Sequence, residues 1–340
     1  MEDTSYNLNF DKLCKNLSLG FIISEPQQVF GGLMHKMYRL KTDSGDYAVK
    51  ALNPQIMQRK TAMNNFIFSD RVSRIAFESG INTVPAILSN GSSIHKIDSQ
   101  FYLVFPWING YTLGQNIVDI VKCRTIGKEL AKIHAIDFSS IYGDNMNNVA
   151  TSKTDWNKYF DGERELNQVK NSEFIKSLDV LSNIEERTNI AVKRLQDNLV
   201  ISHRDLDPKN VLWNENNESI IIDWDAAGYI NPSMELVEVA LYWSGTDSGT
   251  PSKEALSEVV ISYIENGGII NGDFEDILFS VFKSKLVWLE YNVKRSLGIE
   301  CNSREEQKLG IQESENTMQS IVNHFKLIPI LLKWLNKIKG

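Results

Sequence analysis

Residues 201–210 read Ile201-Ser202-His203-Arg204-Asp205-Leu206-Asp207-Pro208-Lys209-Asn210, and thirteen positions after Asn210 the apolar run Ile220-Ile221-Ile222 ends on Asp223. Asp205 and Asn210 share one loop, with a carboxylate and an amide five positions apart. Asp223 follows a short hairpin, Val211 to Trp213 and Ile220 to Ile222 around the turn Asn214 to Asn217. One carboxylate able to take a hydroxyl proton, followed by an amide oxygen and a second carboxylate able to hold a hard divalent cation, is the side-chain set that phosphoryl transfer needs. In that reading Asp205 is the base, Asn210 and Asp223 bind Mg²⁺, and Asp225 is either a further ligand or a turn carboxylate capping the backbone that follows. His203 reads as a residue that stiffens the loop, because phosphoryl transfer leaves it no chemical task. Arg204 and Lys209 are each placed to approach a phosphate or the substrate.

A second stretch supports the first from far upstream. Met37 to Lys41 and Tyr47 to Ala51 read as strands around the polar turn Thr42-Asp43-Ser44-Gly45-Asp46. Period-2 alternation puts Ala48 and Lys50 on one face and Tyr47 and Val49 on the other. Tyr47-Ala48-Val49-Lys50 resembles a V-A-I-K strand, whose lysine would pair with the α and β phosphates of a nucleotide. Before the hairpin, Gly31 and Gly32 are small enough to let backbone N–H groups approach phosphates. A helix is expected from about Met57 to Ser79, ending at Gly80. Ile87 to Ser89 and Phe101 to Phe105 read as two more strands bracketing Asn90-Gly91, with His95 between them. From Ile117 onward the pattern is mainly helical, and Phe325 to Leu335 reads as a docking C-terminal helix.

The bulk numbers narrow the classes. A chain of 340 residues exceeds what one hydrophobic core usually serves, so two lobes are expected: 1–106 as a nucleotide-binding lobe and 107–340 as a catalytic and substrate-binding lobe. With 42% hydrophobic and 23% charged residues and a net charge of −7, the composition is that of a folded acidic protein, which argues against a nucleic-acid or anionic-membrane surface. Cys14, Cys123 and Cys301 are widely separated, so neither a disulfide framework nor a zinc site is expected, and a reducing cytoplasm fits. No run of about 18 apolar residues occurs, so no membrane span is expected.

Taken together, these segments resemble the aminoglycoside phosphotransferase and choline kinase family of small-molecule kinases. The resemblance is carried by Gly31-Gly32, Tyr47-Ala48-Val49-Lys50, Gly80-Ile81-Asn82-Thr83-Val84-Pro85, Phe105-Pro106-Trp107-Ile108-Asn109-Gly110, Leu130-Ala131-Lys132-Ile133-His134, the 201–210 loop and Ile222-Asp223-Trp224-Asp225-Ala226-Ala227-Gly228. It implies an α+β, protein-kinase-like fold: an antiparallel sheet plus helix in the N-terminal lobe and a mainly helical C-terminal lobe. It further implies ATP or GTP as donor, bound through backbone over Phe105 to Trp107, and a helix carboxylate pairing with Lys50, a place that Asp70 takes where the family has Glu. Two departures stand out. The family commonly has His where this chain has Asp207, and Gly where it has Arg204.

A protein Ser/Thr kinase is the first rival, but Asn231-Pro232-Ser233 follows Asp223 too soon to leave room for an activation segment. A catalytically silent nucleotide-binding protein is the second, and it would be expected to have lost the base, a metal ligand or the lysine. The acceptor is therefore expected to be a small hydroxylated molecule. Trp156, Tyr159, Trp243, Trp288, Glu290 and Tyr291 are candidates by type for its pocket. Between Ile141 and Ile190 nine acidic residues against six Lys and Arg would suit an amine-bearing acceptor, and a solvated helical surface explains them equally well.

Overall fold

The computed structural model describes residues 6–29, 34–114, 117–143, 153–159, 178–301 and 303–339. The chain divides into two compact units: Met1–Leu113 with Ile136–Asn145 and His203–Gly228, and Gly114–Ala135 with Met146–Ser202 and Tyr229–Gly340.

The first unit is built on a five-stranded antiparallel sheet. Its strands are β1 (Gln27–Val29), β2 (Lys36–Thr42), β3 (Gly45–Ala51), β4 (His95–Ile97) and β5 (Gln100–Pro106), in the spatial order β1-β2-β3-β5-β4. The expected β2–β3 hairpin forms, with Thr42 opposite Gly45 across the turn and Met37 opposite Lys50. Alternation then sorts the side chains. Leu40, Val49, Ala51, Tyr102 and Val104 pack on one face with Leu13 and Cys14 of the helix Phe10–Leu17. Leu103, Leu52 and Phe66 pack on the other, against the helix Ala62–Glu78, and Lys50 belongs to that side.

Two expected elements differ. The helix from 57 to 79 is two pieces, Pro54–Met57 and Ala62–Glu78. Asn53 caps the first through Gln55 N–H and Pro54 sets its opening turn, while Gln58 and Arg59 bond three residues back rather than four, which tightens and ends it. The strand expected at Ile87 to Ser89 is an extended loop whose Ile87 N–H bonds Val104 O at 2.7 Å. The partner of β5 is instead β4, which contains His95. Asp98, at φ +54°, makes the tight turn that joins the two, a left-handed conformation that Asp tolerates better than most residues.

The segment His203–Gly228 contributes a second hairpin, β7 (Val211–Trp213) and β8 (Ser219–Ile221), around the expected turn; β6 (Val200–Ser202) precedes it. Asn214 closes that turn by accepting from the N–H groups of Asn216 and Glu218. Residues Asn82 and Thr83 run alongside β8. Ile221 N–H donates to Asn82 O at 2.8 Å, and Thr83 pairs with Ile221 in parallel fashion.

The second unit is mainly helical. Its helices include Ile120–His134, Leu178–Arg194, Pro232–Trp243, Lys253–Glu265, Phe282–Ser296 and the 36-residue Arg304–Lys339, which holds Phe325 to Leu335 and buries Ile321, Leu331 and Leu335. Trp156 and Trp243 are core residues there, while Tyr159 donates its hydroxyl to Glu290 at 2.8 Å. A buried chain joins three elements: the His134 ring bonds Tyr263 Oη and Glu235 Oε2, each at 2.8 Å. Among the described residues no helix is long and apolar enough to cross a membrane.

Candidate functional site

The site assembles within the first unit, on the loop His203–Asn210, the turn Asp223–Ala226 and the strand β3. His203 is fully buried. Its Nδ1 accepts the Asp205 N–H at 3.2 Å, which leaves Nε2 to carry the proton and donate to Ile222 O at 3.0 Å. One ring thus ties the loop to the strand end that carries Asp223, and its edge meets Trp224 at 4.7 Å. Arg204 stands at φ +66°, a region where glycine is at ease, and its guanidinium lies over Gly228, where any Cβ would collide with it. The conformation gives a physical reason for glycine at this position in related loops.

Asp205 is held by its neighbour in the motif. Asn210 Nδ2 donates both to the Asp205 carbonyl and to its Oδ2, each at 2.8 Å. That leaves Asn210 Oδ1 as an acceptor. Burial raises the Asp205 pKa, with Lys209 working against the rise and Asp207 adding to it. Asp207 caps the single turn Pro208–Asn210 by accepting the Lys209 N–H at 2.8 Å. Its carboxylate also takes Lys209 Nζ at 3.0 Å, and the same ammonium reaches Asp205 Oδ1 at 3.5 Å.

Asp223 leaves the sheet in a left-handed conformation, φ +61° and ψ +65°, and starts the short turn Trp224–Ala226. The turn brings Asp223 and Asp225 to one side. Lys50, only 5% exposed, donates to Asp223 Oδ1 at 2.7 Å and to Asp225 Oδ2 at 2.9 Å. Burial opposes all three charges. At Lys50 the two carboxylates outweigh it and the pKa is raised; at Asp223 the lysine outweighs it and the pKa falls to about 2. At Asp225 burial together with the Asp223 charge overcomes Lys50, and the carboxyl is pushed up to about 6. A buried ammonium and two partly exposed carboxylates thus share charge unevenly.

Of the other expected site residues, Gly31 and Gly32 lie outside the described residues. Asp70 does not meet Lys50. It pairs with Arg74 one helical turn on, at 3.1 Å, and Arg74 also bonds Ala86 O. Phe105 sits opposite Ala48 in the sheet register, and Trp107 follows where pairing ends, its N–H on Asp46 O at 3.0 Å and its ring under the Arg39 guanidinium at 4.4 Å.

Two contributors lay beyond sequence reasoning. Thr83 Oγ1 accepts from Trp224 Nε1 at 2.8 Å and donates to Ile221 O at 2.6 Å, so a residue before the sheet's last hairpin anchors the Asp223 turn. His35, buried, accepts the Asn53 N–H on Nδ1 at 2.9 Å and faces Asp225 Oδ2 with Nε2 at 3.7 Å. Burial and the nearby Lys50 charge lower its pKa to about 3, so it stands neutral there. A lone histidine after a glycine pair carries no local signal of such a role.

The oxygen set suits a divalent cation. Among the described residues no three His, Cys, Asp or Glu side chains converge, but the Asn210 amide oxygen adds to the two Asp carboxylates, and each Asp keeps one oxygen not used by Lys50. Hard oxygen donors and a small number of carboxylates are what Mg²⁺ takes alongside phosphates.

Residues 27–258 match the family described as the phosphotransferase enzyme family. The chain belongs to that family. No curated protein matches the phosphotransferase by sequence search. Its fold is that of solved small-molecule kinases. A spectinomycin phosphotransferase solved with ADP and spectinomycin is 14% identical, with TM-score 0.62 over 92% of this chain and 97% of that one. A choline kinase from Streptococcus pneumoniae is 19% identical, with TM-score 0.58 over 92% and 99%. A Plasmodium vivax ethanolamine kinase is 15% identical, with TM-score 0.58 over 86% and 81%. The fold is therefore α+β and protein-kinase-like, as the motifs imply.

Proposed function

We propose that this phosphotransferase moves the γ-phosphoryl group of ATP, or of GTP, to a hydroxyl of a small molecule in a Mg²⁺-dependent reaction. The observation that carries the reading is that one unit holds two bonded groups, Asp205 with Asn210 and Lys50 with Asp223 and Asp225, tied together through His203, each residue with the side-chain chemistry its role requires. Asp205 orients the acceptor hydroxyl and takes its proton as the bond to phosphorus forms. Asn210 Oδ1 and the free oxygens of Asp223 and Asp225 would hold Mg²⁺, which supplies charge neutralisation on the phosphates. Lys50, released from the carboxylates it now bridges, pairs with the α and β phosphates. Gly31 and Gly32 are assigned to the phosphates from the sequence alone, and Phe105 to Trp107 to the base. In this reading 1–106 is the nucleotide-binding lobe and 107–340 the catalytic and substrate-binding lobe.

The relatives of similar fold act on spectinomycin, choline and ethanolamine, which supports a hydroxylated amine as acceptor, either an aminoglycoside-type antibiotic or an amino-alcohol or sugar metabolite. The acidic net charge agrees with it. Against a protein kinase stands the short path from Asp223 to the helix Pro232–Trp243. Against a silent homologue stands the retention of base, metal ligands and lysine.

The test is an Asp205→Ala variant followed by calorimetry and by a coupled nucleoside-diphosphate release assay over a panel of hydroxylated amines, sugars and antibiotics. Nucleotide binding with Mg²⁺ should persist while transfer falls by about 10²- to 10⁴-fold. Turnover equal to wild type would refute the assignment of the base, and nucleotide binding indifferent to the metal would favour the silent reading.

A further inference from the structure

Asp207 raises a problem of charge that the proposed reaction has to solve. It places a second carboxylate two residues from Asp205, on the same loop, where like charge works against a carboxylate that must stay ionised to accept a proton. Lys209 lies between the two. Its backbone N–H is fixed by the Asp207 cap at 2.8 Å, so the side chain starts from a locked position, and Nζ then bonds Asp207 Oδ2 at 3.0 Å. From that anchor the ammonium stands 3.5 Å from Asp205 Oδ1, while Asn210 holds Oδ2 at 2.8 Å. Each oxygen of Asp205 therefore has a donor from the same loop. The Lys209 contact is the longer one and leaves room on Oδ1 for a hydroxyl.

We infer that Asp207 and Lys209 form a positioning pair: Asp207 anchors the Lys209 ammonium, and Lys209 holds the Asp205 carboxylate in the orientation that receives the acceptor hydroxyl. The inference rests on the reading of Asp205 as base. Lys209 acts through Asp205 and is assigned no contact with nucleotide. Asp207 acts through Lys209, which makes the two effects dependent on each other. Because the Lys209 side chain is half exposed, removing it opens no cavity, so its effect is separable from folding.

The experiment compares wild type with Lys209→Met, Lys209→Arg, Asp207→Asn and the double variant Asp207→Asn/Lys209→Met. The readout is ADP release from Mg·ATP, or GDP release from Mg·GTP, with water and with the hydroxylated amines, sugars and antibiotics of the same panel as acceptors, with thermal midpoints measured alongside. Asn at 207 keeps the cap to the Lys209 N–H and removes the anchoring charge together with its repulsion of Asp205, which is why its loss should be the smaller one. Lys209→Met should lower kcat by about tenfold or more with KM for Mg·ATP and the thermal midpoint unchanged, as expected for a weakened general base. Lys209→Arg should recover most of that loss, because a guanidinium can still span both carboxylates. Asp207→Asn should lose less than Lys209→Met, and the double variant should match Lys209→Met within about twofold. A rise in KM for Mg·ATP with kcat intact would make Lys209 a phosphate ligand and overturn the inference. So would losses that multiply in the double variant, or a Lys209→Met enzyme as fast as wild type. If wild type releases no nucleoside diphosphate from Mg·ATP or Mg·GTP with water or with any acceptor of the panel, the reading of the whole site fails and this inference falls with it.

Discussion

Replacing Lys50 with Met isolates the electrostatics of the site. The ammonium is buried and lies 2.7 Å from one carboxylate oxygen and 2.9 Å from another. At an effective dielectric near 20, each contact is worth at most about 6 kcal/mol of attraction, and most of that is spent on desolvating the charges. Deleting one partner of a fully buried pair costs about 3–5 kcal/mol because the remaining charge is stranded. Here Asp223 and Asp225 keep 40% and 27% side-chain exposure, so solvent screens part of that penalty and about 2–3 kcal/mol is the reasonable figure. Met matches the stem of lysine and leaves no cavity, so the loss is electrostatic. In metal-free buffer, urea unfolding followed by circular dichroism should show the variant destabilised by that amount, roughly 1 M in midpoint at a slope of about 3 kcal/mol per molar. Two uncompensated carboxylates and the Asn210 amide should then bind a divalent ion more tightly than in wild type, where the ammonium competes. Mg²⁺ at about a hundred times its dissociation constant would return about 2.7 kcal/mol. The expected result is selective rescue by Mg²⁺ and none by sodium chloride of equal ionic strength. Equal stability of variant and wild type without metal, or rescue by either salt alike, would show that Lys50 does not neutralise these carboxylates.

Two further outcomes follow from other parts of the molecule. His324 is fully buried, stacks on Phe282 at 4.3 Å, and neither ring nitrogen has a hydrogen-bond partner among the described residues. Burial and the nearby Lys285 charge lower its pKa to about 3, with Asp247 pulling weakly the other way. The unfolded chain takes up the proton near pH 6.5 and the folded one only near 3, so stability is full above 6.5 and is lost as pH falls between those values, by about 2 kcal/mol at pH 5. His324→Phe keeps the stack and should flatten that part of the stability profile; an unchanged acid slope would show that His324 is not its source. Thr83→Val keeps the shape but leaves Trp224 Nε1–H and Ile221 O without the hydroxyl that serves both. It should cost about 2 kcal/mol and weaken Mg²⁺-dependent nucleotide binding, and a variant with wild-type metal affinity would deny Thr83 its part in placing Asp223.

What could be read from the chain alone, and what could not, divides along the distance between partners. The hairpins β2–β3 and β7–β8 follow from alternation and turn residues within about ten positions, and both form close to where the pattern puts them. The Asp205 and Asn210 pairing is equally local, since an amide five residues on bonds both the carbonyl and the carboxylate of the base. The place of β4 was missed because Asn90-Gly91 is the stronger turn signal, yet the tight turn actually joining two strands is built on Asp98 at positive φ. The partner of Lys50 is the clearest case. Asp70 and Asp223 are both carboxylates within reach in principle, and spacing cannot choose between them across 173 residues. The choice is made by two local facts acting together. Arg74 lies one turn after Asp70 on the same helical face and captures the short Asp side chain, while the left-handed Asp223 turn, pinned by His203 and Thr83, delivers two carboxylates to β3 instead of one. With Asp70 held by Arg74, the lysine rests on the two carboxylates proposed to hold the metal.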